Sequence, residues 1–422
     1  MMDRRHFLDL AGAGAAAAGL GACSFGGDDD VTPAGDAATG GTDAQRAAAD
    51  ATTRSATDRV LVLLDLQGGS DGLSTLVPHA DDAYFAARPT LAVPGEQVLA
   101  LDTEVGLHPR LARLHARGVT TVEGVGPVDG NLSHFSMQAR WEQGDPRGRR
   151  SGGDGFLARL VRNIDHGPDE LVGVSVGGQT PHFNGSLANT LTMATSTDLW
   201  FLAPSAWWRG PASLVDGLAA LSSTTARGDR LGATAASYGS LLDIAARLDG
   251  VDNTGLSRPA HMDDGGELAQ RLRAAAELIV ADVGVRVVYA QLPGWDTHQG
   301  HLFAHDNLLR ILDASVDGFL QMMDDAGWGD RVLVATTTEF GRRVAENGTG
   351  FDHGTSSAMF LFGQGDRGRF GDRPSLTSLD DDGNPAVTVG FDRYLATLAE
   401  EWLGLDAAAV LESDEVTTLG VF

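Results

Sequence analysis

The sequence contains one cysteine and no lysine among its 422 residues. A single cysteine excludes an intrachain disulfide and the zinc sites that are built from several cysteines, so a bound metal would need oxygen and nitrogen ligands. All 31 basic residues are arginine, and 57 acidic residues give a formal net charge of −26. An acidic surface repels phosphate backbones, which argues against nucleic acid as a partner.

Long apolar runs are also absent, and the N-terminal run from Leu10 to Gly21 is too short to span a bilayer. Arg4 and Arg5 stand shortly before this run, which is the pattern of a twin-arginine export signal. We interpret residues 1–23 as a Tat signal peptide, with the Tat translocase as a partner during export. The sequence therefore predicts a periplasmic, extracellular or cell-surface protein.

The stretch from Leu20 to Cys23 resembles a lipoprotein cleavage box. In that interpretation Cys23 becomes the lipidated first residue and tethers the protein to a membrane. In the alternative, signal peptidase cleaves near the alanine-rich run and releases a soluble protein. Residues 24–58 are rich in Gly, Asp, Ala and Thr, with almost no large apolar side chain, and are predicted to form a disordered linker.

From residue 59 onward, short β-branched runs alternate with amphipathic helical stretches, which is typical of a doubly wound α/β domain. The strand candidates are nearly continuous in apolar residues, which indicates a mostly parallel sheet with helices on both faces. We expect one such domain over residues 59–422 with a helical insertion or lid at about 196–265, for which ordinary packing helices are the alternative. The predicted strands are Arg59–Leu64, Val119–Val125, Leu171–Val176, Val285–Leu292, Arg331–Thr336 and Ser357–Phe362, and the predicted crossover helix is His301–Asp325.

A carboxylate and an imidazole, Asp296 and His298, directly follow the fourth predicted strand in the stretch GWDTH. Because they are two positions apart in an extended segment, their side chains can point to the same side and share a metal. The alternatives are an Asx-turn for Asp296 and a surface role for His298. His301 and His305 lie four apart on the next predicted helix and are weaker ligand candidates.

Two other predicted strands are followed by an acid, Asp65 after the first and Glu339 after the fifth. Ligands of open α/β sheets bind at that edge. Arg342, in the stretch TEFGR, can hold an anionic oxygen with two N–H groups, and a surface ion pair is the alternative. His353, in the stretch DHG, lies in a glycine-rich loop where a ligand is favoured over core filling. These residues predict a metal-assisted hydrolytic centre.

Ser133 stands just before a predicted helix over Phe135–Gln143 and is its natural N-cap. Next to a metal it could equally be a nucleophile, because the helix dipole and the free amides favour the negative charge of an attacked ester. Ser70, in the stretch GGSDG, is the fallback nucleophile, although a turn is the simpler interpretation there.

The twin-arginine signal and the motifs GGSDGL, SHFSMQ, GWDTH, TEFGR and DHG together resemble a broad exported family within the alkaline phosphatase and sulfatase superfamily, whose members have no settled activity. The resemblance covers nearly all of the chain after residue 59 and implies an alkaline phosphatase-like fold with two metal sites. The ligands that it implies are Asp296, His298 and His353 for the first site, and Asp65, Glu339 and the hydroxyl of Ser133 for the second.

The first of these sites would suit Zn²⁺ or Mn²⁺, and the second Mg²⁺, Ca²⁺ or Mn²⁺. Phe340 stands where the two-metal enzymes usually have a histidine, so the second site is expected to be weak, altered in metal preference or lost. Ser133 is followed by His, Phe, Ser and Met instead of the Pro and Arg that formylglycine sulfatases require. A formylglycine sulfatase is therefore disfavoured.

The resulting prediction is an exported metal-dependent hydrolase that acts on phosphate or related esters, either small molecules or polymers. Ser133 would attack the ester, and Arg342 would hold its anion. The competing prediction is a non-catalytic exported binding protein on the same scaffold, which Phe340 suggests. A metal-dependent isomerase or transferase on this fold is a third possibility.

Overall fold

The computed structural model describes residues 58–150, 152–167, 170–178, 180–185, 189–193, 213–223 and 256–422, with short stretches at 235, 238–239, 241–243 and 245–246. The predicted signal peptide, Cys23 and nearly all of the predicted linker lie outside the described residues, as does most of the insertion expected at about 196–265. The chain divides into two compact units, one of which comprises residues 59–209 and 242–422. The other unit includes the helix at Ser213–Ser222.

Twelve strands run through the described part of the chain, all in the larger unit. In chain order they are β1 (Val60–Asp65), β2 (Leu76–Val77), β3 (Leu99–Ala100), β4 (Gly106–Leu107), β5 (Val119–Gly126), β6 (Gly173–Val176), β7 (Thr190–Met193), β8 (Val287–Gln291), β9 (Val332–Thr337), β10 (Ser357–Phe362), β11 (Arg369–Phe370) and β12 (Val389–Gly390).

Nine of these strands form one sheet in the order β11-β5-β10-β9-β1-β8-β6-β7, with β12 also paired to β5. β1 is central and parallel to both neighbours, since Leu61 lies opposite Val287 on one side and Leu333 on the other. The exception in direction is β10, which is antiparallel to β5 and β9. The predicted mostly parallel α/β sheet is therefore confirmed. A separate three-stranded sheet has the order β2-β4-β3.

The helices within the described ranges fall short of the length and apolar character that a bilayer-spanning helix requires. In chain order they are α1 (Gly72–Thr75), α2 (Asp82–Ala87), α3 (Ala112–Arg117), α4 (His134–Gln143), α5 (Phe156–Asn163), α6 (Ser213–Ser222), α7 (Gly266–Val280), α8 (His301–Asp325), α9 (Phe391–Thr397) and α10 (Ala407–Leu411), with a π-helical turn at Leu398–Trp402 and 3₁₀ turns at Gly95–Gln97, Pro109–Leu111, Pro181–Phe183, Ala260–Gly265 and Gly329–Arg331.

Alternate side chains of β1 enter two different cores, as the period-two geometry of a strand requires. Val62 and Leu64 pack in the core that α7 and α8 cover, whereas Leu61 and Leu63 pack in the core that α5, α9 and α10 cover. All four side chains are fully buried. Helices therefore cover both faces of the sheet, as the continuous apolar runs predicted.

All six predicted strands form, each with ends within two residues of the expected ones, and α8 has the predicted bounds. α4 begins at His134, one residue before the predicted start. The sequence analysis does not predict β7 or the sheet of β2, β3 and β4. These strands have two to four residues, which is too short for a period of two to be recognised.

Candidate metal centre

Neighbouring parallel strands bring the predicted site residues to one edge of the sheet. β1 ends at Asp65, β8 ends five residues before Asp296, and β9 ends two residues before Glu339. Because the three strands are adjacent and run in the same direction, these ends lie side by side. His353 lies in the loop between β9 and β10, where it forms a backbone bridge with Arg342.

Three imidazoles surround the carboxylate of Asp296. His298 Nε2 and His353 Nε2 each lie 3.2 Å from Asp296 Oδ1, and they lie 2.9 Å from each other. His134 Nε2 lies 3.5 Å from Asp296 Oδ2. Within the described residues, donor atoms of His134, Asp296 and His353 all lie within 4.8 Å of one another, a spacing that a shared metal ion allows. The structure thus brings Asp296 and His353 together with His134, and His298 lies outside this group of three but within 3.2 Å of Asp296 and 2.9 Å of His353.

The outer nitrogen of each imidazole already has a partner. His353 Nδ1 lies 2.9 Å from the carbonyl oxygen of Leu132, and a carbonyl can only accept, so this nitrogen carries the hydrogen. His134 Nδ1 lies 2.8 Å from Glu339 Oε1, which assigns the hydrogen in the same way. In this tautomer the lone pair is on Nε2, the nitrogen that faces Asp296.

His298 follows the same pattern, since its Nδ1 lies 3.4 Å from Asp352 Oδ1. Three Nε2 lone pairs and one carboxylate therefore converge, with their outer partners on backbone or carboxylate oxygens. This is the arrangement that orients histidine ligands in metal sites. Donor atoms held by one Zn²⁺ at roughly 2.0–2.1 Å lie about 3.3 Å apart in a tetrahedral site. The donor set around Asp296 thus fits a divalent cation in both chemistry and spacing.

Arg342 fixes Asp296 from the buried side. Its Nη2 donates to Asp296 Oδ1 at 2.8 Å, and the side chain is only 2% exposed. Its other donors go to backbone carbonyl oxygens: Nε to Gly69 at 2.7 Å, Nη1 to Phe351 at 3.0 Å, and Nη2 to two more. The sequence predicted a clamp on the substrate anion, but these contacts are those of a residue that positions Asp296 and joins the surrounding loops.

The charge states of the cluster follow from its surroundings. Burial raises the pKa of Asp296, but the hydrogen bond and the charge of Arg342 outweigh burial and hold this pKa below its ordinary value. Burial also lowers the pKa of His353. At neutral pH the first group is a carboxylate and the second a neutral imidazole, which are the forms that bind metal.

Glu339 is held by donors from several directions and is 2% exposed. Both of its oxygens lie 3.0 Å from the backbone N–H of Gly68, and Oε1 also accepts from His134 Nδ1 and, at 3.3 Å, from Gln138 Nε2. The sequence analysis predicts a ligand of a second metal here. The observed contacts are those of a carboxylate that orients the imidazole of His134.

Asp65 is outside the group around Asp296. Its Oδ2 accepts a hydrogen bond from the hydroxyl of Tyr289 at 3.0 Å. Burial, and then the charge of Glu339, raise the pKa of Asp65 to about 8, so this carboxyl group is largely protonated at neutral pH. A second metal between Asp65 and Glu339 therefore stays a prediction, and their contacts do not favour it.

Ser133 occupies the N-cap position of α4, as predicted, but its side chain makes no capping hydrogen bond. The residues on both sides of it contact the cluster, Leu132 through its carbonyl group and His134 through its ring. Leu132 has a φ of 56°, a left-handed conformation that costs a non-glycine residue about 1–3 kcal/mol. Ser133 therefore stands in sequence between two residues that contact the cluster.

His134 has no assigned role in the sequence-based prediction. Its position directly after Ser133 at a helix N-terminus was the available signal, but its partner Glu339 lies 205 residues away, so no local spacing connects them. Phe340, the residue that departs from the expected metal-binding pattern, packs against the His134 ring with centroids 4.9 Å apart. An imidazole from α4 thus lies beside the position where a histidine was expected.

His301 and His305, the weaker ligand candidates, belong to a separate buried cluster on α8. Their rings stack with centroids 4.6 Å apart, and His301 Nε2 lies 3.6 Å from Asp71 Oδ2. Asp71 forms an ion pair with Arg88 at 2.6 Å, and both side chains are almost fully buried.

Ser70, the fallback nucleophile, is 2% exposed, which leaves Ser133 as the more accessible of the two hydroxyls.

Residues 220–373 match the model of a family described as a protein of unknown function, DUF1501. The matched range includes the site residues from Asp296 to His353 and leaves Asp65 and Ser133 outside it. No curated protein matches the chain in sequence.

Solved structures that the chain matches include the lipoteichoic acid synthase LtaP from Listeria monocytogenes, with 9% identity, a TM-score of 0.39, and coverage of 85% of this chain and 76% of that one. The sulfatase PsFucS1 from Pseudoalteromonas sp. has 9% identity and a TM-score of 0.34, and the match covers 76% of this chain and 65% of that one. The phosphonate monoester hydrolase SpPMH from Silicibacter pomeroyi has 11% identity and a TM-score of 0.31, and the match covers 83% of this chain and 74% of that one. At these values no site can be transferred, so the chemistry depends on the geometry of this chain.

Proposed function

We propose that this protein is an exported, metal-dependent hydrolase of phosphate or related esters on an alkaline phosphatase- and sulfatase-like scaffold. The observation that carries the proposal is the convergence of three imidazole Nε2 atoms on the carboxylate of Asp296. Lone pairs and a carboxylate repel one another, so such a group is stable when a cation lies among them. Together with Ser133 beside it, this group supports hydrolytic chemistry.

Of the two metals expected for this site, the donor set suits Zn²⁺ better than Mn²⁺, because imidazole nitrogen predominates over carboxylate oxygen. A cation bound there would polarise the ester as a Lewis acid and lower the pKa of an adjacent hydroxyl group. Asp296, His298, His353 and His134 are the residues that would hold it. The scheme needs no second ion at Asp65 and Glu339.

Ser133 is the proposed nucleophile. Its Oγ forms a bond to phosphorus while the bond from phosphorus to the alcohol oxygen breaks, and the alcohol leaves with a proton. Water then cleaves the seryl ester and releases the acid. The N-terminus of α4 directs its free backbone N–H groups toward the negative charge that develops on the ester. Arg342 acts through Asp296 and does not touch the ester.

Export by the Tat route is part of the proposal, and Arg4 and Arg5 before the short apolar run support it. Replacing both arginines by lysine should leave the protein in the cytoplasm, as cell fractionation would show. After export, the protein is either lipidated at Cys23 or released as a soluble protein. Cys23→Ser separates them, because only a lipidated protein would move from the membrane to the soluble fraction.

The test combines elemental analysis with a panel of an aryl phosphate monoester, a phosphate diester and a sulfate ester. The native protein should contain a divalent metal and hydrolyse at least one ester, and Asp296→Ala should lose both. Asp306→Ala, which changes an exposed carboxylate on α8, is the matched control and should keep both. Unchanged turnover in Asp296→Ala would overturn the proposal. A metal-free protein that turns over no ester would leave the binding-protein alternative.

A further inference from the structure

A cavity of about 110 Å³ adjoins the proposed metal centre at the carboxyl ends of β1, β8 and β9. Glu339 belongs to both places, since it lines the cavity and also accepts a hydrogen bond from His134. The wall opposite comes from α4 and from the 3₁₀ turn Pro181–Phe183. A group attached to an ester at the cluster around Asp296 could therefore enter this cavity.

The cavity wall is rich in hydrogen-bond acceptors. Asp65, Glu142 and Glu339 contribute three carboxyl groups, and none of the described residues that line the cavity is arginine or lysine. Burial raises the pKa of Glu142, and burial with the charge of Glu339 raises that of Asp65. No arginine or lysine of the wall pairs with these acids, and a carboxyl group accepts hydrogen bonds whether or not it is protonated, so a ligand with hydrogen-bond donors would be favoured.

The same wall also holds two buried polar atoms without a partner. Trp141 Nε1 and His182 Nδ1 have no hydrogen-bond partner, and each side chain is only 4% exposed. Trp141 lines the cavity and its Nε1–H can only donate, so an acceptor that reaches it from the cavity would complete its hydrogen bond. Burial lowers the pKa of His182 to about 3, so its ring is neutral. A buried polar group without a partner is unfavourable, and a bound ligand that pairs with it would remove this penalty.

We infer that this cavity binds the hydroxyl groups of a polyol, so that the alcohol part of the substrate ester is a glycerol-like or sugar-like unit. A hydroxyl group donates to Asp65 or Glu142 and accepts from Trp141 Nε1–H, so it satisfies both kinds of wall atom. An ammonium group would pair with the acids but leave the indole N–H without an acceptor. An anionic group would be repelled by Glu339, whose charge already raises the pKa of Asp65.

The volume agrees with a small polyol segment. At roughly 30 Å³ per water molecule in the liquid, the cavity holds the equivalent of about three or four waters. Three or four hydroxyl-bearing carbons occupy a similar space. The inference rests on the proposed function for its link to an ester, but the binding of a free polyol does not depend on turnover.

The first experiment measures that binding directly. Saturation-transfer NMR compares erythritol with 1,4-butanediol, which has the same carbon chain and two fewer hydroxyl groups. Erythritol should give a signal that 1,4-butanediol does not, and Glu142→Gln and Trp141→Phe should each remove it. Glu267→Gln is the control and should keep the signal, because the side chain of Glu267 on α7 is 83% exposed. Circular dichroism shows whether each variant has folded.

The second experiment compares turnover of glycerol 1-phosphate and propyl phosphate. We expect kcat/KM to be at least about tenfold higher for glycerol 1-phosphate, because its hydroxyls form hydrogen bonds with the cavity wall that propyl phosphate cannot form. This ratio should fall toward one in Glu142→Gln and stay unchanged in Glu267→Gln.

The outcomes separate the two proposals. Hydrolysis of both esters with no preference, and equal NMR signals from erythritol and 1,4-butanediol, would overturn the polyol inference and leave the hydrolase in place. Erythritol binding that depends on Glu142, without turnover of any ester, would support the cavity assignment while the proposed function fails. Displacement of erythritol by ethylammonium, with tighter binding of the ammonium ion, would overturn the inference in favour of a cation pocket.

Discussion

At the scale of single residues, the imidazoles of the proposed metal centre depend on what holds their outer nitrogens. Each outer nitrogen is an Nδ1 atom, and it points away from the shared carboxylate of Asp296. The residues that contact these Nδ1 atoms are Leu132, Asp352 and Glu339. Their effect is to fix the tautomer and the direction of each ring before a cation arrives. Such preorganisation explains why a strained backbone at Leu132 is retained.

His134→Ala tests the histidine that the sequence analysis leaves without a role. Loss of an outer partner of a ligand typically weakens metal binding about 10–100-fold, and loss of an imidazole that faces the cation should cost at least as much. Calorimetric titration with Zn²⁺ measures the change. His115→Ala, which removes a histidine bonded to the carbonyl of Ala100, should leave the affinity unaltered. Equal affinities in the two variants would exclude His134 from the site.

The buried pair of Asp71 and Arg88 offers a second test. Arg88→Met should lower the free energy of unfolding by about 3–5 kcal/mol, because it leaves the buried carboxylate of Asp71 without its charge partner. Arg110→Met breaks the exposed pair with Asp306 and should cost about 0–1 kcal/mol. Urea unfolding measures both values. A similar loss in the two variants would show that burial does not set the importance of this pair.

At the scale of elements, the site depends on close contacts between loops. Gly350 packs so tightly on the loop after β8 that an added Cβ would lie 2.3 Å from the carbonyl carbon and oxygen of His298. Gly68 is equally constrained, because its added Cβ would lie 2.4 Å from the backbone nitrogen of Asp296. Glycine at both positions lets two further loops touch the one that carries Asp296 and His298.

Gly350→Ala should therefore displace His298. We expect a loss of about 1–3 kcal/mol in the free energy of unfolding, as for other overpacked contacts, together with weaker Zn²⁺ binding. Gly95→Ala is the control, because its nearest neighbour would lie at 3.8 Å, an ordinary contact distance. Unfolding and titration experiments on both proteins decide the matter, and unchanged Zn²⁺ affinity in Gly350→Ala would count against this packing role.

The elements that could be predicted from the sequence are those with a repeated signal. The 25-residue helix α8 and the buried strands β1 and β9 were predictable because apolar residues recur over their whole length. The antiparallel direction of β10 was not, since an apolar run does not encode which way a strand points. The hydrogen bond between Glu339 and His134 could not be predicted from the sequence either, because it depends on how the loop after β9 packs against α4.

At the scale of the whole molecule, buried histidines connect stability to pH. Burial lowers the pKa of both His108 and His301 to about 4. In the unfolded chain these groups titrate near 6.5. Between these values the unfolded state binds more protons than the folded state. The contribution of the two histidines to the free energy of unfolding is therefore fully present above about pH 6.5 and is lost as the pH drops toward 4.

For His301 alone this effect is of the order of 3 kcal/mol across the window, since a tenfold change in a proton-binding constant corresponds to about 1.4 kcal/mol. Urea unfolding at pH 7.5, 6 and 5 should show the decline, and His301→Gln should make it shallower. His115→Gln should leave the slope as it is. A wild-type protein equally stable at pH 7.5 and 5 would contradict this account.

The central position of β1 determines when the ion site can form. Its two neighbours in the sheet, β8 and β9, are made more than two hundred residues later in the chain. At a synthesis rate of about 5–20 residues per second, a growing polypeptide waits roughly 10–40 s before this strand can be enclosed. In the proposed function, capture of a cation would therefore be among the last events of maturation, and a chain released before residue 353 would lack a proposed ligand of the site.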